Sequence, residues 1–213
     1  MIDATFMRWP QIPLGEAASR LAVGIPLSRY TAEENDLGDP VRVLQIRDIE
    51  DGQVTDPDSA EVIRLHRGRY ARFLLDEGDV LISCRGTILK SAYVKALRRP
   101  VVASSNFIVV KLNGLVHPAV LVAMTRSNRW KNAVQQRSRS TSGILQLTTK
   151  DIADLPVLVL PPTGQQALSD MLDAEAEYRR CARTAIGHRS AMTDRLIDDL
   201  IEPHSPSGVA GEP

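Results

Sequence analysis

Residues 165–202 contain no proline and a single glycine, Gly187. Pro161-Pro162 stands just ahead of that stretch, and Thr163-Gly164-Gln165-Gln166 has the T-x-x-Q form of a capping box. In such a box Thr163 and Gln166 would satisfy free amides at a helix start. A helix of about 40 residues spans roughly 60 Å at 1.5 Å per residue, longer than a small domain usually covers. Apolar or small residues recur at Met171, Ala174, Tyr178, Cys181, Ala185 and Met192, then Leu196 and Leu200. The steps alternate between three and four, break at His188, and continue as fours. That is a narrow seam of the kind that pairs with another helix. The other reading lays the helix back on its own domain.

The preceding 160 residues have a different texture. Residues 41–46, 72–75, 80–83, 92–96 and 107–112 are β-prone runs, with turn signals at Asp51-Gly52 and Asp76-Glu77-Gly78-Asp79. Residues 14–23 read as a short amphipathic helix ended by Gly24-Ile25-Pro26. Pro118 opens a second, apolar helix over 118–125, and 144–147 and 155–160 read as closing strands. The expected fold class is α+β: a mixed, strand-rich domain over 1–160, a long coiled-coil-type helix over 161–202, and a disordered Pro/Gly/Ser-rich tail over 203–213. No internal repeat is visible.

Charge is unevenly placed along this frame. The chain balances 26 Lys and Arg against 26 Asp and Glu, yet residues 80–150 contain no acid at all. Their bases are Arg85, Lys90, Lys95, Arg98, Arg99, Lys111, Arg126, Arg129, Lys131, Arg137, Arg139 and Lys150. A polyanion such as DNA rewards that arrangement, because each neutralised phosphate releases counterions, and excluding carboxylates removes repulsion. A solvated basic face is the plainer alternative. Within the segment, Arg85-Gly86-Thr87 suits a groove: glycine permits close approach, and arginine pairs bidentately with guanine. Lys90 follows closely. Gln135-Gln136-Arg137-Ser138-Arg139-Ser140-Thr141-Ser142-Gly143 joins base-reading side chains to hydroxyls that suit phosphates, or else forms a polar linker. Arg64, His66, Arg67 and Arg69 make a second cluster, a phosphate rail or a solvated edge. Arg98-Arg99-Pro100 reads as a turn whose charges reach backbone only.

Four motifs, in order, carry a resemblance. Leu44-Gln45-Ile46-Arg47-Asp48-Ile49 comes first, then Gly78-Asp79-Val80-Leu81-Ile82-Ser83 with Arg85-Gly86-Thr87, then Ser105-Asn106-Phe107. The last runs from Leu147-Thr148-Thr149-Lys150-Asp151-Ile152 through Leu158-Val159-Leu160-Pro161-Pro162 to Gln165-Gln166. Together, over residues 9–202, they resemble the target-recognition domain and spacer helix of type I restriction–modification specificity subunits. The family commonly has an acidic residue before the helix-start glutamine, where Gln165 stands here. A full subunit of that family has two recognition domains and two spacer helices, so this chain looks like a half-subunit.

The resemblance implies a subunit that recognises double-stranded DNA in a phage-defence complex and docks a methyltransferase (modification) subunit, with a restriction subunit as a further candidate partner. S-adenosylmethionine would be bound by the methyltransferase and not by this chain. The helix seam, Met171, Tyr178, Cys181, Ala185, Met192, Leu196 and Leu200, would pair with a second copy or with a different half-subunit.

Catalysis is not expected from this chain. The acid-free segment cannot itself build a two-metal nuclease centre. His66, His117, His188 and His204 lack metal-ligand spacing. No GxGxxG, P-loop, Gly-x-Ser-x-Gly or Asn-Pro-Pro-aromatic motif is present, and Ser83 and Cys84 have no histidine beside them. Cys84 and Cys181 support neither a disulfide framework nor a zinc site. Apolar runs too short for a bilayer and the absence of an N-terminal apolar core lead to a cytoplasmic expectation. Two rivals remain at this point: a fragment or cousin of a DNA-modifying enzyme with an unrecognised site, and a coiled-coil adaptor with an incidental basic face.

Overall fold

The computed structural model describes residues 9–33, 38–138 and 144–201. The expected contacts Arg139, Ser140 and Thr141 and the tail 203–213 lie outside the described residues. The chain divides into two compact units, Met1–Leu172 and Asp173–Pro213, and the division falls within one helix.

In the first unit β1 (Gln11–Pro13) runs into one helical turn, α1 (Leu14–Ala17), and then β2 (Ala18–Val23). After the short α2 (Leu27–Tyr30) come β3 (Asp39–Leu44), β4 (Ile49–Glu50), β5 (Gln53–Val54) and β6 (Glu61–Leu65). Next are β7 (Val80–Ser83), β8 (Arg85–Gly86), β9 (Ser91–Tyr93), β10 (Val101–Ala103) and β11 (Phe107–Leu112). Helices α3 (Pro118–Thr125) and α4 (Asn128–Arg137), then β12 (Leu145–Gln146), α5 (Thr149–Ala153) and β13 (Pro156–Leu158), lead to α6 (Pro162–Ile201). Six strands form one sheet in the order β2-β11-β7-β9-β5-β4. A second sheet is β10-β3-β6, and β1-β13 and β12-β8 are two-stranded ribbons. The expected α+β class holds.

Strand β7 shows why the core sits where it does. All four of its residues, Val-Leu-Ile-Ser, are buried, which a strand needs only when both faces are covered. Successive side chains point to opposite faces. Val80 and Ile82 pack with Val120 and Leu121 of α3, Trp130 of α4 and Ile152 of α5. Leu81 packs the other way, with Leu44 of β3, Val101 and Ala103 of β10, and Phe107. Helices therefore cover one face of the large sheet and the smaller sheet covers the other. Trp130 is 1% exposed, and its indole N–H donates to the Pro156 carbonyl at 2.7 Å.

Several local expectations give way to long-range pairing. The helix expected over 14–23 survives only as α1. From Ala18 onward the chain is β2, paired antiparallel with β11 from Val23↔Ile108 to Ala18↔Leu112. A ladder to a central strand outweighs weak helix propensity. Gly24 then has a packing duty rather than a stop signal: a side-chain carbon there would collide with the Ala103 and Ser104 carbonyl oxygens. The strand expected over 72–75 is a 3-10 turn, Ala71–Phe73, followed by a single bridge from Leu74 to Val102. Helix α4 went unforeseen, although Ser127 caps it by accepting from the Trp130 N–H at 3.2 Å. Buried Trp130 and Val134, four apart, face the core.

The start of α6 also departs from expectation. The helix begins at Pro162, one residue before Thr163, so Thr163 is not its cap. Gln166 donates to Asp170 at 2.8 Å instead of closing a capping box. Gln165 does the anchoring: its Oε1 accepts from the His117 N–H at 2.5 Å, and its Nε2 donates to the Leu115 and Leu160 carbonyls at 3.1 and 2.8 Å. The T-x-x-D capping box that does form is Thr148 with Asp151, at α5.

In the second unit α6 continues to Ile201 with ion pairs along itself, Arg179–Glu175 and Arg180–Glu177. Tyr178, Ile186, Met192, Leu196 and Leu200 are all more than half exposed, and Cys181 and Ala185 are exposed with them. Met171, at the end of the first unit, is exposed as well.

Candidate nucleic-acid interface

The acid-free stretch does not stay acid-free once folded. Lys111 on β11 donates to Asp76 and Asp79, each at 2.7 Å, and both acids precede the stretch in sequence. Burial alone would lower the lysine pKa, but the hydrogen bonds and charges of the two carboxylates outweigh it and hold the pKa above the ordinary value. Lys90, expected as a DNA contact, has its ammonium engaged within the fold. Its ammonium donates to the Ile46 and Ile49 carbonyls at 3.1 and 2.9 Å, bracing the turn after β3. Of the rail, Arg64 donates to the Gly38 carbonyl at 3.4 Å and Arg67 sits 3.5 Å from the Asp39 carboxylate. Arg98 and Arg99 are exposed on a bend and make no hydrogen bond or ion pair among the described residues.

Arg85 is different from these. It lies on β8, exposed, and its side chain makes no hydrogen bond or ion pair among the described residues. Gly86, at φ +120°, takes a conformation that L side chains rarely adopt. Thr87 is exposed beside it. The loop rests on Ser83, which is fully buried: its hydroxyl donates to the Ile88 carbonyl at 3.3 Å and accepts from the Lys90 N–H at 2.8 Å. Cys84 is buried, and its thiol pKa is pushed up by burial despite the neighbouring Arg85 charge, so it is poorly suited as a nucleophile. Among the described residues no group of His, Cys, Asp and Glu has the arrangement to hold a metal ion.

The structure joins the two stretches that looked most suited to DNA. Gln146 of β12 pairs with Arg85 of β8, and the Gln146 N–H donates to the Ser138 hydroxyl at 3.2 Å. Ser138 follows the last turn of α4, which carries exposed Gln135 and Gln136 and half-buried Arg137. These residues stand on a capped helix, not in a linker, and Arg137 donates back to the Ala133 carbonyl at 3.2 Å.

Arg85 also lines a cleft of about 690 Å³, together with Gly24, Arg29, Gln45, Ser104 and Asn106 among others. Gln45 is held by Glu61, to which its Nε2 donates at 2.8 Å. Ser104, Asn106 and Arg29 were not foreseen as site residues. The β11–β7 register brings the turn of Ser104 and Asn106 to Arg85: Phe107 pairs with Ser83, and the Cys84 N–H donates to the Asn106 carbonyl at 2.8 Å. Only the pairing of distant strands brings Asn106 beside Arg85.

No protein-family model and no curated protein sequence matches the chain. Solved structures do. A chain from a study of complex assembly and conformational transition in the type I R-M system aligns at TM-score 0.60 with 18% identity, over 88% of this chain and 43% of that one. The HsdS subunit from Thermoanaerobacter tengcongensis aligns at TM-score 0.57 and 18% identity, over 94% of this chain and 51% of that one. The type IIG restriction endonuclease BpuSI aligns at TM-score 0.54 and 12% identity, over 76% of this chain and 26% of that one. The chain thus has the fold found in HsdS and spans about half or less of each of these proteins. Among the described residues, no helix is long and apolar enough to cross a membrane.

Proposed function

We propose that this chain is a sequence-specific double-stranded DNA recognition subunit of a type I-like restriction–modification complex. The agreement with the HsdS fold over 94% of the chain carries the reading. Arg85, whose side chain is unpaired among the described residues, stands on a glycine-relieved loop joined through Gln146 to the end of α4 and supplies a surface with the right chemistry. In this role the chain contributes recognition, while methyl transfer from S-adenosylmethionine, and any cleavage, belong to partner subunits. Helix α6, about 60 Å long at 40 residues, is the spacer and docking element. Its exposed seam pairs with a second copy, giving a palindromic split target, or with a different half-subunit, giving an asymmetric one.

Titrating the full chain on duplex DNA over a range of salt tests this. Engagement of six phosphates gives a slope of about −5 in log K against log salt; a flat response refutes the reading. A second reading, that the chain is the recognition part of a larger DNA-modifying polypeptide, is favoured by the alignment with a quarter of BpuSI. Co-purification from the native host separates the two: a separate methyltransferase chain in the pull-down supports the first.

A further inference from the structure

The cleft beside Arg85 contains polar groups that the fold itself leaves unused. Ser104 is only 5% exposed, and its hydroxyl has no hydrogen-bond partner among the described residues. Leaving a buried hydroxyl unsatisfied is unfavourable, and this one belongs to the lining of an open cleft. Asn106, two residues on, is half-buried in the turn closed by the Phe107 N–H to the Ser104 carbonyl at 3.0 Å. Turn asparagines commonly fold their side chain onto nearby backbone. Among the described residues the Asn106 carboxamide makes no such bond, so both its donor and its acceptor are available to the cleft. Its backbone, by contrast, is fixed, through the Cys84 N–H bond to its carbonyl and the Phe107↔Ser83 pairing. Arg29, exposed and without a side-chain partner among the described residues, lines the same cleft. At about 690 Å³ the space falls within the size range of ligand clefts, about 300–1,000 Å³.

Resting on the DNA-recognition reading above, we propose that Asn106 is a specificity-determining residue that reads an adenine, next to a guanine read by Arg85. A carboxamide that is both donor and acceptor matches the adenine N6 and N7 pair in the major groove, as a guanidinium matches guanine O6 and N7. Ser104 supplies the hydroxyl at the lining, and Arg29 supplies positive charge for the backbone. Because Cys84 is hydrogen-bonded to Asn106 and adjoins Arg85, the two bases read are neighbours in the target.

Enrichment of a random-core duplex library by the full chain, followed by titration of the enriched duplex, tests the assignment. Asn106→Ala loses the preference for adenine at one position by roughly 5- to 150-fold. Arg85→Ala loses guanine within one or two base pairs of it. Asn106→Ser, which suits the same turn, serves should the alanine variant fail to fold. Replacing that one adenine by 7-deazaadenine removes the N7 acceptor and weakens the wild-type chain, but leaves the Asn106 variant unaffected. An unchanged motif, or equal weakening on every duplex, overturns the assignment and leaves the recognition reading standing. A wild-type chain that enriches nothing and shows no salt dependence overturns both.

Discussion

Strand β7 and helix α6 use the same kinds of apolar side chain in opposite ways. Val80, Leu81 and Ile82 are wholly buried, split between two packed faces of one sheet. Tyr178, Met192, Leu196 and Leu200 of α6 are each more than half exposed. A strand inside a sheet finds partners on both faces within its own chain. The apolar residues of the helical seam stay exposed among the described residues, at a spacing that suits pairing with another helix. The first region therefore owes its order to this chain, and the second leaves an apolar surface exposed. Substitutions in the core, in the seam and in the basic segment separate the two regions.

The largest effect belongs to the core. Trp130→Ala removes the largest fully buried side chain and orphans the Pro156 carbonyl it bonds. The expected loss is about 4 kcal/mol, read from the urea midpoint. A loss below about 1 kcal/mol would mean that the helical layer over the sheet is dispensable.

Seam substitutions should act on association instead. Tyr178→Glu or Leu196→Glu puts a charge into a packed helix pair, which weakens association by about 3 kcal/mol per chain. Light scattering should show the wild type assembled at tens of micromolar and the variants monomeric, with unchanged near-UV signal from the first unit. A monomeric wild type rules out self-pairing and leaves pairing with a different half-subunit. Loss of folding in the variants breaks the comparison itself, because the seam would then be packed on its own domain.

A smaller effect concerns charge inside the first unit. Lys111→Met leaves Asp79, whose side chain is 4% exposed, without its cation. The expected loss is about 2 kcal/mol, below that of a fully buried pair because Lys111 retains some contact with solvent. The lysine pKa is raised in the folded chain, so its stabilisation is complete below the unfolded value of about 10.4 and disappears as pH rises through the folded value. Wild-type stability should fall across that alkaline window more steeply than that of Lys111→Met. Parallel curves would show that the contact contributes nothing.

Local signals were legible where one short segment settles its own conformation. The Asp51-Gly52 turn takes positive φ at both residues, Pro118 opens α3, and the runs at 80–83 and 107–112 are β7 and β11. What distant pairing decides was not legible. Nothing local distinguishes 18–23 as a strand, since its identity comes from β11. Nothing in an acid-free run reveals that Asp76 and Asp79 reach Lys111, or that Lys90 is held by two carbonyls. The candidate site divides in the same way. Arg85 stood out as an arginine beside a glycine, whereas Asn106 and Ser104 reach the same cleft only through the register of β11 against β7. The end of α4 could have been recognised from Ser127 capping Trp130, which would have placed Gln135 to Arg137 on a helix.

The smallest expected effect separates the two kinds of arginine in the basic segment. Arg98 and Arg99 are exposed on a bend and do not line the cleft, so on the proposed reading their charge would reach phosphate but no base edge. Replacing both with alanine should lower affinity evenly across sequences and reduce the salt slope by about 2, one for each charge removed. Arg85→Ala should also lower the slope slightly, but its main effect should be a loss of discrimination of roughly 1–3 kcal/mol at one position. Arg137, on the last turn of α4, is an intermediate case: Arg137→Ala relaxes discrimination if its guanidinium swings from the Ala133 carbonyl to a base, and otherwise behaves like Arg98. Titrations on the enriched duplex and on single-mismatch versions measure both quantities together. Should Arg85 and the Arg98–Arg99 pair give the same pattern, free charge alone would account for binding, and the cleft would have no part in choosing the sequence.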